Sequence, residues 1–255
     1  MEKDERLVFL HIPKCGGTSL SEVLKTNFPD KEICPHISDA LARRSHQELA
    51  KWRYFSGHYS KLSVDTVPGP KWVVTLLREP KARVLSLYYF WRAHKDDYIE
   101  KHNLGGPRLA RQMDLLSFLK SEDLAITRSI RNTMMRTLLT SLQVTNAAGY
   151  VGRDPAFSLE TALANLARFN YVAFTETMNE DVAMLTRLLG LTPADAAPRT
   201  NTFESFSERD AMEPVERETV TPQIEQALNR ATRLDRELYE RAFRLRHTLR
   251  CPYPN

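Results

Sequence analysis

The sequence predicts an α/β fold: a three-layer sandwich with a small central parallel sheet flanked by helices, and further helices added in the second half. Three observations carry this expectation. Arg6–Ile12 and Lys71–Leu77 are short apolar runs of the kind that strands buried on both faces show. Each is followed at once by helix-forming sequence, the alternation that builds parallel sheets with right-handed crossovers. Beyond about residue 108 the apolar spacing becomes mostly helical, apart from a late strand-like run at Tyr171–Thr175.

Taken in order, Arg6–Ile12 (RLVFLHI) reads as a buried strand that ends at the breaker Pro13-Lys14-Cys15-Gly16-Gly17. A helix capped by Thr18 or Ser19 follows, with Leu20, Val23 and Leu24 at helical spacing, and it stops at Asn27-Phe28-Pro29-Asp30. Ser38 or Asp39 caps a second expected helix through about Trp52, and the short run Tyr54–Ser56 turns at Gly57 into His58. Lys71–Leu77 (KWVVTLL), rich in β-branched residues, is the strongest strand, and Pro80 suits the first turn of a helix reaching about His94. Residues 108–144 read as interrupted helix, 145–155 as a polar loop, Ser158–Phe169 as helix, Tyr171–Thr175 as strand, and Asn179–Leu189 as a helix closed by Gly190. After a loop at Pro193–Ser207, Thr221-Pro222 opens one long amphipathic helix extending to about Thr248.

At 255 residues the chain can bury a full core, and it shows no internal repeat or linker, so a single domain over 1–255 is expected. The longest stretch without a formal charge, Thr137–Gly152, is 16 polar-rich residues, too short and too polar to span a bilayer. The N-terminus opens with charges of both signs, so neither a signal peptide nor an anchor is expected, and the chain reads as cytoplasmic. Three cysteines, Cys15, Cys34 and Cys251, give neither a disulfide framework nor metal-ligand spacing, which argues against a structural zinc. The net charge of +4 suits an anionic ligand but is far below the load of a nucleic-acid binder.

The chemistry concentrates in two segments. In His11-Ile12-Pro13-Lys14-Cys15-Gly16-Gly17-Thr18-Ser19-Leu20 a strand gives way to a helix, the place where open α/β sheets bind ligands. The glycines admit an anion close to the backbone, the helix N-terminus directs N–H groups and a positive dipole at it, Thr18 and Ser19 add hydroxyls, and Lys14 adds charge. The fold is therefore expected to be P-loop-like. It is not a Walker A loop, because Gly17 stands where that motif has Lys. The second segment, Arg78-Glu79-Pro80-Lys81-Ala82-Arg83-Val84-Leu85-Ser86-Leu87-Tyr88-Tyr89, puts Arg78 at a strand end and Arg83 and Ser86 on one helix face, where a second anion can be gripped. The alternative reading pairs Arg78 with a carboxylate such as Glu79, and Tyr88, Tyr89, Phe90 and Trp91 read as core.

Together these segments resemble the PAPS-dependent sulfotransferases, in particular the carbohydrate type that includes heparan sulfate 2-O-sulfotransferase and its bacterial relatives. In that family H-I-P-K-x-G-G-T-S binds the 5'-phosphosulfate of PAPS, and R-[DE]-P-x-x-R-x-x-S-x-Y-Y binds its 3'-phosphate through Arg and Ser. The resemblance implies cofactor contacts from Lys14, Cys15, Gly16, Gly17, Thr18, Ser19, Arg78 and Ser86, and from Arg199, Thr200 and Asn201 in the loop that closes over PAPS in relatives. Asn165–Glu176 and Leu234–Glu240 look like the family's later helix-strand and C-terminal helix.

The implied activity is transfer of a sulfuryl group from PAPS to a hydroxyl of a carbohydrate or small metabolite, without a metal. Lys14 would stabilise the departing 3',5'-ADP. Tyr54–His58 looks like the Gly-His element that supplies a catalytic histidine in 2-O-sulfotransferases, although Ser56 stands where those relatives carry a second histidine. His58 is thus the expected base, with Glu176 as the alternative, while His11 is expected to satisfy a local hydrogen bond. Asn132 and Arg136 share a helix face toward substrate or solvent, and Arg43, Arg44, Lys51 and Arg53 form a basic cluster that would suit an acidic sugar or be a solvated face. A non-catalytic nucleotide-binding module and a nucleotide kinase are the competing readings.

Overall fold

The computed structural model describes residues 1–2, 4–139, 155–196 and 211–249. Four strands, β1 (Arg6–Leu10), β2 (Tyr54–Gly57), β3 (Lys71–Leu77) and β4 (Tyr171–Phe174), form one parallel sheet in the order β2-β1-β3-β4. In the register, Leu10 lies beside Gly57 on one flank and Thr75 on the other, and Leu77 lies beside Phe174. Because every strand runs the same way, the residues that follow them meet at one edge. The chain leaves β1 for β2 in one direction and later continues from β3 to β4 in the other, so the order reverses between β1 and β3. Such a switch point opens a crevice outside the carboxyl ends of the strands, where α/β proteins bind ligands.

Helices flank the sheet: α1 (Gly17–Lys25), α2 (His46–Leu49), α3 (Lys61–Thr66), α4 (Pro80–Arg92), α5 (Asp96–His102), α6 (Gly105–Arg111), α7 (Leu115–Lys120), α8 (Leu124–Ile130), α9 (Thr133–Thr137), α10 (Pro155–Ala167), α11 (Met178–Leu188), α12 (Pro222–Ala231) and α13 (Arg233–Arg244). The main core packs the strands against α1, α9, α10, α11 and α13. A second apolar cluster joins Val84, Leu87 and Tyr88 of α4 to α6, α7 and α8 and to Ile224, Leu228 and Ala231 of α12. No helix among the described residues is long and apolar enough to cross a membrane.

The expected strands and most helices form, with instructive departures. The helix expected over 38–52 reduces to a 3-10 turn at Leu41–Arg43 and the short α2, capped by the Ser45 hydroxyl. Asp39 does not cap it, because its carboxylate accepts from the backbone and hydroxyl of Ser60 instead. Helix α1 starts ahead of Thr18 and Ser19, with Gly16 at its N-cap in the left-handed conformation at φ 83°. The long C-terminal helix breaks at Thr232, where the Asn132 side chain accepts from the N–H groups of Leu234 and Asp235 and starts α13 afresh. Asp235 reciprocates across the junction by accepting from the N–H groups of Met134 and Met135. The loop expected at 145–155 lies almost wholly outside the described residues.

Candidate active site

The crevice is built from the segment that follows β1. Lys14 and Gly16 both have positive φ, 66° and 83°, which folds the backbone into a concave turn leading into α1. Several other helices, though not α6, cap their N-termini with side chains: Glu79 on α4, Asp114 on α7, Asp123 on α8 and Thr221 on α12. Helix α1 has neither a side-chain cap nor an acidic residue in its first turn, so its positive end stays available to an external anion.

Tight packing shapes the turn. A Cβ on Gly17 would sit 2.2 Å from the His11 ring, so only glycine fits there. Thr175, just past β4, bonds through its hydroxyl to the carbonyls of Cys15 (2.5 Å) and Leu77 (3.1 Å), tying the loop to the ends of β3 and β4. The Cys15 thiol is fully buried, and burial pushes its pKa up to about 12, so Cys15 can offer a ligand only its backbone.

Two cations stand at this turn. Arg78, immediately after β3, donates to the Lys14 carbonyl at 3.0 Å and makes no ion pair among the described residues. Pairing with Glu79 does not occur, because that carboxylate caps α4 through the N–H groups of Lys81 and Ala82. Lys14 directs its ammonium at the face of Phe90, 3.5 Å from the ring centroid. Burial, and then the neighbouring Arg78 charge, lower its pKa to about 8. Two positive groups crowded together without a carboxylate are relieved by an anion between them.

Ser86, two turns along α4 from Arg78, is partly exposed, and its hydroxyl makes no hydrogen bond among the described residues. Arg83 departs from expectation. It is fully buried, and its Nη2 donates to the carbonyls of Ser129 and Ile130 and to the Thr133 hydroxyl, so it holds α8 and α9 against α4 instead of facing the surface with Ser86. Tyr88 is core, as expected, whereas Phe90 forms part of the site wall through Lys14.

His58 follows β2 and lies beside the turn. Its Nδ1 is 2.8 Å from the His11 carbonyl, which can only accept, so Nδ1 carries the proton and Nε2 is left as the acceptor. The two imidazoles lie 4.6 Å apart, and His11 also stacks on Phe9. The local bond expected of His11 is thus made by its carbonyl, not its ring. Burial first, then the nearby His58 and Lys14, lower the His11 pKa to about 3, which keeps that ring neutral. Gly57 is a forced choice, since a Cβ there would meet the Ile37 carbonyl at 2.5 Å, and that same carbonyl accepts from the His58 N–H.

The alternative base, Glu176, accepts from the Glu79 N–H through one oxygen and from the Tyr239 hydroxyl through the other. Of the basic cluster, Arg44 pairs with Glu48, and Arg53 is spent on Glu32 and on the carbonyls of Glu5 and Glu2. Arg136 bonds to the carbonyls of Arg128 and Arg131 and so closes the C-terminal end of α8. Arg199, Thr200 and Asn201 lie outside the described residues. Sequence reasoning missed Phe90 and Thr175 as parts of the site, because each acts on a residue at least 76 positions away in the chain.

Residues 1–244 match the model of a family described as the sulfotransferase family. No curated protein matches the chain. Among solved structures, it is similar to mouse sulfotransferase SULT7A1 complexed with PAP, at 16% identity over 94% of this chain and 89% of that one, with a TM-score of 0.42.

Proposed function

Because the chain belongs to the sulfotransferase family, we propose that it transfers a sulfuryl group from PAPS to an acceptor hydroxyl on a carbohydrate or small metabolite, acting as one domain over 1–255. The observation that carries this reading is the concave turn at Lys14–Gly17. It joins an uncapped helix N-terminus to two cations that have no carboxylate partner. That combination fits a phosphate-bearing ligand.

Lys14, the backbone of Cys15 to Gly17, and Thr18 and Ser19 would hold the 5'-phosphosulfate, while Arg78 and Ser86 would take the 3'-phosphate. Arg199, Thr200 and Asn201 would complete the nucleotide contacts. PAPS supplies the sulfuryl group and leaves as 3',5'-ADP. As the acceptor oxygen bonds to sulfur, His58 Nε2 takes its proton, and the electron pair of the breaking S–O bond stays on the phosphate. Lys14 and the α1 dipole stabilise that developing charge, a role that metal ions take in phosphoryl transfer.

The tautomer of His58 supports it as base, since the His11 carbonyl leaves Nε2 free to accept a proton. It also favours a working enzyme over a non-catalytic nucleotide module. Glu176 is a weaker candidate because both its oxygens already accept hydrogen bonds.

Titration calorimetry with 3',5'-ADP, 5'-AMP and ATP with Mg²⁺ tests the reading. A clear preference for 3',5'-ADP without metal is expected. Preference for ATP with Mg²⁺, or binding of none of the three, would overturn it.

A further inference from the structure

On the helical half of the molecule, α7 and the segments flanking α8 face α12 and the start of α13 across a cleft of about 570 Å³, within the usual ~300–1,000 Å³ range for ligand pockets. Four cations, Lys120, Arg131, Arg230 and Arg233, and one carboxylate, Glu122, line it. Glu122 is spent, because both its oxygens accept from the Arg131 guanidinium, at 2.6 and 3.1 Å. Lys120, Arg230 and Arg233 make no ion pair among the described residues, so the cleft keeps three uncompensated positive charges.

Its floor adds a neutral donor. Asn132 is only 6% exposed and lines the cleft, and its Oδ1 is held by the N–H groups of Leu234 and Asp235. That fixes the amide, and its Nδ2 donates to nothing among the described residues. A buried, oriented donor under three unpaired cations is complementary to negative charge.

We propose that this cleft is a binding site for a small polyanion carrying two or more phosphate or sulfate groups, separate from the turn at Lys14–Gly17. One singly charged anion would leave most of the positive charge uncompensated, whereas clustered anionic groups reach all three cations at once. Since Lys120, Arg230 and Arg233 are exposed, each contact is screened, and affinity depends on several acting together.

The test is calorimetry on the full chain with two probes, tripolyphosphate and sucrose octasulfate, which separate a phosphate chain from a sulfated sugar. Binding of either at low salt is expected to persist in Lys14→Ala, which disables the anion-binding turn, and to be weakened at least tenfold when the exposed double change R230E/R233E is added in that background. Asn132→Asp keeps the oxygen that starts α13 but places a carboxylate on the floor, and it should weaken the same probe at least tenfold. The melting temperature of each variant checks that it is folded, and R230E/R233E alters only solvated side chains. No binding of either probe up to about 5 mM, the weak end of specific affinity, would overturn the proposal. So would binding that R230E/R233E leaves intact or that Lys14→Ala abolishes. The test reads neither nucleotide binding nor catalysis, so its outcome is independent of the sulfotransferase reading.

Discussion

Gly17→Ala should destabilise the protein even though helix propensity argues the other way. Gly17 is the first residue of α1 and has no positive φ, so replacing it by alanine would ordinarily gain up to ~1 kcal/mol. The added Cβ, however, would meet His11 Cδ2 at 2.2 Å and Nε2 at 2.4 Å. Carbon contacts settle near ~3.5 Å or beyond, so ring and helix must part by more than about 1 Å. The ring has little room to yield, stacked on Phe9 at 5.4 Å and facing His58 at 4.6 Å. Overpacking of this kind costs about 1–3 kcal/mol, and forcing His11 off its rotamer adds about 1 kcal/mol. Against the propensity gain, a net loss of ~2 kcal/mol is expected, a fall of roughly 4–8 °C in melting temperature for a chain of this size. Calorimetric melting of Gly17→Ala, His11→Ala and the double variant measures it. His11→Ala removes the ring but keeps the carbonyl that anchors His58, so in its background Gly17→Ala should cost at least ~1 kcal/mol less. If Gly17→Ala melts at or above the wild type, or if the two changes simply add, the His11 ring does not set the size limit at position 17.

Further expectations follow from the same geometry. His58→Gln should lower kcat by roughly 10²–10⁴ while leaving the Kd for 3',5'-ADP within twofold, and equal losses in both would remove His58 as base. Ser86→Ala should weaken 3',5'-ADP about tenfold in calorimetry and leave 5'-AMP unchanged, because only the former carries a 3'-phosphate. Affinity for 3',5'-ADP should fall above pH 8, approaching tenfold per pH unit, since Lys14 loses its proton near there and a bound anion pulls that proton back. A flat profile from pH 7 to 9.5 contradicts the assignment, and Lys14→Arg should flatten it. In the free protein Lys14 titrates near 8 folded and at its usual 10.5 unfolded, so the unfolded chain binds more protons between those values, and this contribution to stability rises with pH there. Asp235→Ala removes the acceptor of the Met134 and Met135 N–H groups in a fully buried position, and urea unfolding should show a loss of about 3 kcal/mol with an unchanged m-value.

What was legible in the sequence was local. The turn from Lys14 to Ser19 lies between adjacent elements, so its glycines, hydroxyls and lysine announce an anion site within a few positions of one another. The apolar runs of β1, β3 and β4 mark strands buried on both faces, and Pro80 after Glu79 marks the start of α4. Alternation of strand and helix then implies a parallel sheet, which by itself brings Lys14, His58 and Arg78 to one edge.

Side-chain partnerships that span the chain were decided only in three dimensions. The tautomer of His58 depends on a carbonyl 47 residues earlier, and the break between α12 and α13 depends on Asn132, 102 residues before Leu234. Arg83 and Ser86 share a spacing that suggests a common task, yet packing of α8 and α9 buries the arginine and leaves the serine at the surface. Periodicity reports which face of a helix is apolar, but not which distant backbone group competes for a hydrogen bond. Buried donors and acceptors must be paired wherever the fold brings a partner, so helix ends, tautomers and the fate of a charged side chain are settled by tertiary neighbours that no local window contains.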